Sequence, residues 1–434
     1  MSDLPIIKPR ERDGVLQALR AGVVPKLGLQ HIAVGRAGEI AQVLGDLARI
    51  ADGGSSFRLV IGDYGAGKTF FLTMIRLAAL EKRMVTMSAD LSPERRLFAT
   101  DGQARGLFAE LSRSTATRTK PDGEALRSIV ERFAGEVREQ ATAAGKPLKT
   151  VLQARLEPLT EMVFGYDFTN VVSTFVEAFD AGDDARAQAA VRWMRGEWAT
   201  RTDARQALGV RTIIDDESVC DALKLYARFF RIAGYGGLLV NLDELVNLYK
   251  LNSTKSRQNN YEQILRMLND VLQGGVEGLG LVLGGTPEFL LDTRRGLYSY
   301  AALRSRLEEN AFARDGLVDL SGPVIRLGSL TPEDLFVLLR RIRRVFANDE
   351  HDGPDLPDEA LEAFLDHCER RIGDAYFKTP RETIRAFVQL ASVLEQNPGT
   401  QWNDLIDRVV VQRDEGAASD HVTEEDDELT ELRL

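Results

Sequence analysis

The sequence predicts an α/β protein: a parallel sheet with helices on both faces, a long helical insertion, and an all-helical C-terminal domain. Three observations predict it. Short apolar strands alternate with apolar-periodic helices, which implies a parallel sheet covered on both sides. Residues 92–217 are rich in Ala, Arg, Glu and Leu with few β-branched runs. One strand, Phe57 to Ile61, runs directly into the segment Gly62 to Thr69, G-x-x-x-x-G-K-T.

The elements follow in order. Residues 1–33 read as a leader, with a short helix over Asp13 to Ala21. Residues 34–91 open a nucleotide-binding core. Val34-Gly35-Arg36 precedes a helix that runs through Ile50, and Asp52 to Ser56 is a turn. The strand from Phe57, an apolar helix and a strand over Met84 to Ala89 come next. Within the insertion of residues 92–217, helical spacing covers Ala125 to Ala141 and Asp184 to Thr200. Trp193 and Trp198 read there as packing residues, with a partner surface as the alternative. The core resumes over 218–330: a helix to Ile232, then strands at Leu238 to Val240, Leu279 to Thr286 and Val324 to Leu327, with a helix over Asn260 to Leu272. Thr331-Pro-Glu-Asp334 and Thr379-Pro-Arg-Glu382 are helix starts, with a capping residue, proline in the first turn and an acid near the dipole's positive end. Residues 331–411 therefore read as a helical lid domain. The stretch 412–434 reads as an acidic disordered tail.

Gly62 to Thr69 has the pattern of a phosphate-binding loop, the P-loop of nucleoside triphosphatases. Gly62, Gly65 and Gly67 admit backbone conformations closed to residues with a Cβ. A row of N–H groups then faces one anion, at the positive end of the following helix. Lys68 is placed to reach the β- and γ-phosphates of ATP, and Thr69 to put its hydroxyl on Mg2+. Asp63, Tyr64, Ala66 and Phe70 complete the binding segment. An accidental glycine-rich turn is the alternative, and the strand before and helix after oppose it.

Leu238-Leu-Val-Asn-Leu-Asp243-Glu244 supplies what hydrolysis needs: an apolar strand ending in two acids. Asp243 is the candidate Mg2+ ligand. Glu244 is the candidate that orients or deprotonates water. The alternative is a buried strand whose acidic end meets solvent. Thr286, in Gly284-Gly285-Thr286-Pro287-Glu288, is a candidate γ-phosphate or water contact from a strand end between those two elements, or else a plain turn residue. Arg306, then Arg304, are candidates to reach a neighbouring subunit's γ-phosphate. Their alternative is a surface ion pair with Glu308 or Glu309. Arg381 is a candidate phosphate contact at a lid-helix start, with Arg385 as its alternate.

Composition bounds the function. The 434 residues exceed one compact core. No apolar run approaches the roughly 20 residues that cross a bilayer, and no signal-peptide pattern opens the chain, so a cytoplasmic location and no membrane role are expected. Cys220 and Cys368 read as buried free thiols. The four histidines form no metal pattern; His367 beside Cys368 reads as helix-surface chemistry. Net charge is −11, of which residues 412–434 contribute −7 through nine acids and two arginines. That balance argues against unspecific DNA coating. Arg340-Arg-Ile-Arg-Arg344 reads as a solvated lid face spread over more than one side of its helix. Lys250, Lys255 and Arg257 read as a flexible loop facing a pore or DNA, where affinity would fall steeply with salt.

Together these segments resemble AAA+ ATPases of the origin-recognition and Cdc6-like branch. The residues are Val34-Gly35-Arg36, Gly62 to Thr69, Leu238 to Glu244, Gly284 to Glu288, and Pro323 to Leu335 entering a helical lid. In that branch the Val-Gly-Arg segment lies near the adenine, which implies adenine contacts for Val34 and Arg36. More narrowly, the chain resembles the ATP-binding proteins of bacterial BREX-type phage-defence systems. Leu27 to Arg36, Ile61-Gly-Asp-Tyr-Gly-Ala-Gly-Lys-Thr69, Asn241 to Leu245 and Gly284 to Phe289 carry that resemblance over about residues 15–400. It implies a defence role, companion proteins such as a helicase, and the cofactors ATP and Mg2+. Three readings stay open: an oligomeric ATPase acting on DNA or a DNA-bound partner, a slow switch that regulates a partner helicase, and a scaffold in which ATP is structural.

Overall fold

The computed structural model describes residues 6–310, 312–313, 319–347 and 353–412. The expected acidic tail, from 413 on, lies outside the described residues. The chain forms two compact units. One comprises the residues up to Gly35, Gly62–Phe70 and the chain from Leu327 onward; the other comprises Arg36–Ile61 and Phe71–Arg326.

The second unit holds five strands: β1 (Ser56–Gly62), β2 (Val85–Asp90), β3 (Leu238–Asp243), β4 (Leu279–Gly285) and β5 (Val324–Leu327). Their order is β2-β3-β4-β1-β5, and β1/β4, β2/β3 and β3/β4 pair in parallel. β1, β3 and β4 are buried throughout, as continuous apolar runs covered on both faces require. The predicted α/β class is therefore the observed one. The register pairs Ile61 with Gly285 and Leu242 with Leu283, so the carboxyl ends of β1, β4 and β3 share one edge.

Residues 92–217 are helical and share one core with the sheet. Phe133 meets Phe229 edge-on at 5.5 Å and Phe168 meets Tyr226 at 5.4 Å, tying this stretch to the helix Val219–Ile232. Trp193 is buried and its indole N–H donates to the Thr212 carbonyl at 2.8 Å; Trp198 donates to Ala189. Both are packing residues. The helix that begins at Asp184 ends at Met194, short of Thr200, because Gly196 takes a left-handed φ of 66° and Thr200 caps a new helix. Arg58 on β1 pairs with Asp46 at 2.5 Å, both almost fully buried, and also donates to the carbonyls of Leu320 and Gly322.

The first unit is helical. The helix Pro9–Arg20 buries Val15 and Leu16 in the cluster formed by the helices Pro332–Ala347, Asp358–Ile372 and Arg381–Gln396. His367 is buried, so its surface reading is corrected: it lies with Cys368 on the inward stripe of an amphipathic helix, and its Nε2 lies 3.0 Å from the Val409 carbonyl. Cys220 and Cys368 are buried free thiols, as expected. Burial pushes each up to about 12. The folded chain should therefore resist a thiol-labelling disulfide reagent at pH 8 and react at both positions once denatured; fast labelling of the native chain would contradict that burial.

Candidate functional site

The candidate phosphate-binding segment, Gly62 to Thr69, belongs to the first unit. Gly65 and Gly67 take φ of 80° and 81°, where a Cβ is strained. Gly62 has no such φ but needs the missing Cβ, which would stand 3.0 Å from the Leu327 carbonyl oxygen. A Cβ on Gly65 would meet Thr379 at 3.0 Å, so the loop packs closely against the turn just before Arg381. Lys68 opens the helix Lys68–Glu81 and donates to the Gly62 carbonyl at 2.8 Å and the Asp63 carbonyl at 3.0 Å. Its ammonium is thus held over the loop's own hollow. Tyr64 and Thr69 are exposed, and Val34 and Phe70 pack against the same apolar cluster. Arg381 is exposed and donates to the Gly22 carbonyl at 2.7 Å; Arg385 faces Glu382 at 3.4 Å.

The second unit carries the acids. Asp243 ends β3, is buried, and accepts the Glu244 N–H at 2.9 Å. Glu244 is exposed and takes φ 59°, a left-handed conformation that costs a residue with a Cβ about 1–3 kcal/mol. Gly284, on the neighbouring strand, leaves room for the aspartate: a Cβ there would lie 2.4 Å from Asp243 Oδ1. Gly284→Ala should push that carboxylate aside and destabilise the fold by about 1–3 kcal/mol, the usual cost of overpacking. Thermal melting checks this, and an unchanged midpoint would mean that the carboxylate has room to move. Thr286 follows β4, between β3 and β1 in the sheet order, and accepts the Phe289 N–H at 3.4 Å to cap the short helix Pro287–Leu291. Arg36 takes φ 62° at the start of the helix Ala37–Ala51.

One acid was missed. Asp90 ends β2 and pairs in register with Asp243. Burial first, then the charge of Asp243, holds its carboxyl above the usual range. The signal was present, since Ala89-Asp90 closes a strand as Leu242-Asp243 does. The register that makes them neighbours is a long-range property.

Other candidates are engaged within the unit. Arg306 donates to Asn269 Oδ1 at 2.7 Å and to the Ala302 carbonyl at 2.8 Å. Arg304 stands 3.8 Å from Glu308, the ion pair weighed as its alternative. The flexible-loop reading of Lys250, Lys255 and Arg257 is corrected for Arg257. It is 7 % exposed and donates to the carbonyls of Leu251 and Asn252 and to Thr254 Oγ1. The helix Thr254–Leu272 begins six residues earlier than its apolar periodicity indicated, because Ser253 caps it by accepting the Ser256 N–H. Lys250 and Lys255 remain exposed.

The residues present fit a nucleotide with a divalent cation. In the first unit Thr69 offers a hydroxyl oxygen, and Lys68 with the loop's glycines offers the cationic cradle a phosphate chain takes; in the second, Asp243 offers the hard carboxylate oxygen that Mg2+ takes. Among the described residues no group of three or more His, Cys, Asp or Glu is gathered as a metal site of its own, and no helix is long and apolar enough to cross a membrane.

Comparison with known proteins places the chain in a family. Residues 7–410 match the family model described as BREX system ATP-binding protein BrxC/D. No curated protein matches the sequence. Among solved structures, the Aeropyrum pernix ORC2 protein, determined as ADPNP-ADP complexes, aligns over 86% of this chain and 67% of its own, at 15% identity and a TM-score of 0.43.

Proposed function

The chain belongs to the BREX system ATP-binding protein family, and on that premise we propose that it is a Mg2+-dependent ATPase of a bacterial anti-phage defence system. It acts on DNA or on a DNA-processing partner such as a helicase. The observation that carries hydrolysis, beyond binding, is the end of β3: a buried Asp243 followed by an exposed Glu244 in a strained backbone conformation. A purely structural nucleotide has no need of the second acid.

In this reading the backbone N–H groups of Gly62 to Thr69 take the phosphate oxygens, and Lys68 moves from the loop carbonyls to the β- and γ-phosphates. Thr69 and Asp243 would hold Mg2+, which when bound neutralises phosphate charge. Glu244 orients a water for in-line attack and accepts its proton as ATP and water become ADP and phosphate. Thr286 contacts the γ-phosphate or the water, and Val34 and Arg36 lie toward the base. Arg381 contacts phosphate, and Arg306 or Arg304 serves a neighbour in a homo-oligomer. A slow nucleotide switch regulating a partner is the second reading. The intrachain bonds of Arg306 and Arg304 favour it, because each must break before either residue reaches another subunit.

Steady-state ATP hydrolysis by the purified chain, with and without DNA, tests the proposal. Turnover that DNA stimulates and Lys68→Ala abolishes is the expected result. Binding without turnover in both conditions would reject the autonomous ATPase and leave the switch.

A further inference from the structure

Glu244 and Thr286 each open a short turn that leaves the sheet. The chain after Glu244 forms the one-turn helix Val246–Tyr249, and the chain after Thr286 forms the helix Pro287–Leu291, which ends at Asp292. The two turns end on each other. The Tyr249 hydroxyl donates to Asp292 Oδ2 at 2.8 Å, while Asp292 Oδ1 accepts the N–H groups of Arg294 at 2.7 Å and Arg295 at 3.1 Å. Arg295 closes the contact from its own side. Its guanidinium carbon lies 5.6 Å from the centre of the Tyr249 ring, and its Nη2 lies 3.4 Å from the carbonyls of Tyr249 and Leu251. The buried Arg257 holds the same Leu251 carbonyl from the following helix.

A left-handed residue with a Cβ, as Glu244 is, persists only where its surroundings over-determine it. On its N-terminal side β3 fixes it. On its C-terminal side the Leu245 N–H donates to the Gly284 carbonyl at 3.0 Å, and Asn247 Nδ2 donates to the Leu91 carbonyl at 2.8 Å. Leu245 and Leu248 are buried, so packing sets the depth of the turn. Apolar packing has no direction. The hydrogen bond from Tyr249 to Asp292 has one, and it ties the end of the Glu244 turn to the end of the Thr286 turn. We propose, resting on the ATPase reading of Glu244 and Thr286, that Tyr249 and Asp292 are positioning residues. They hold the two candidates in one arrangement, so that a water set by Glu244 and a phosphate or water met by Thr286 fall in register.

ATP turnover by the full-length chain, read beside amide hydrogen exchange of residues 244–250 without nucleotide, tests this. Tyr249→Phe keeps the ring against Arg295 and loses only the hydroxyl. Tyr249→Phe and Asp292→Ala should each lower kcat by about 10- to 100-fold, the cost of a small misplacement, with KM for ATP unchanged. Combined they should cost no more than Asp292→Ala alone, because both break one link. Asp292→Asn keeps an oxygen for the two backbone N–H groups and an amide that can donate to the Tyr249 oxygen, so it should retain most of the wild-type kcat. Exchange at 244–250 should quicken in the two slow variants and stay unchanged in the helix Val219–Ile232. Wild-type kcat in Tyr249→Phe, or unchanged exchange at 244–250, would overturn the proposal. So would quickening that extends through Val219–Ile232, the mark of a general loss of stability. A wild-type chain that never turns over ATP, yet exchanges slowly at 244–250 only while Tyr249 is intact, would reject the ATPase reading and the positioning role with it, leaving the clasp itself in place.

Discussion

Glu244→Gln should lower ATP turnover by about 10²- to 10⁴-fold, the usual contribution of a positioned general base, while leaving ATP affinity intact. Gln keeps the size of the side chain and one oxygen that can accept from water, but it cannot take the proton. The backbone at 244 stays in its left-handed conformation for either residue, so thermal stability should not move. Lys68→Ala should behave differently and lose binding itself, because charge-assisted hydrogen bonds to phosphate contribute roughly 1.5–3 kcal/mol each. The decisive comparison is nucleotide affinity measured beside single-turnover hydrolysis for both variants. Full turnover in Glu244→Gln would show that another group handles the water, with Asp90, paired in register with Asp243, the next acid to examine.

Arg58→Ala should be the most destabilising single change in the sheet. Arg58 and Asp46 are 3 % exposed each, and the guanidinium also holds the carbonyls of Leu320, Ser321 and Gly322, fastening the chain that leads into β5. Removing Arg58 leaves the buried Asp46 with only the exposed Arg49, at 2.6 Å, as its counterion, at a cost toward the lower end of about 3–5 kcal/mol. Replacing both, as in Asp46→Leu with Arg58→Met, should recover much of the loss, since apolar packing removes the desolvation penalty too. Thermal melting of the single and double variants measures this. A double variant no better than the single would mean that the carbonyl contacts of Arg58, and not its charge pairing, hold the segment.

The sequence showed those features whose chemistry is local. Five strands were visible because each is a short apolar run between turn residues, and helix starts such as Thr331-Pro-Glu-Asp334 carry their own caps; the Thr331 hydroxyl accepts the Asp334 N–H at 3.1 Å. What stayed hidden depends on partners distant in the chain. Arg257 looks like a loop cation until the loop wraps its guanidinium. His367 looks like a surface residue until Val409 covers it. Asp90 gains significance only when β2 pairs with β3. Gly284 reads as part of a glycine-rich turn, and only the position of Asp243 explains why it must lack a side chain.

The helix Pro9–Arg20 has a consequence for how the chain is made. Its inward residues, Val15 and Leu16, are covered by helices that begin at Pro332 and later. A ribosome working at about 5–20 residues per second needs roughly 15–60 s to synthesise the intervening chain. Throughout that interval the first helix emerges without the residues that will bury it, and the large intervening unit folds before its own N-terminal neighbour can. The order of synthesis and the order of folding are thus opposed for the unit that carries residues 62–70, and its apolar stripe stands open to aggregation throughout the interval.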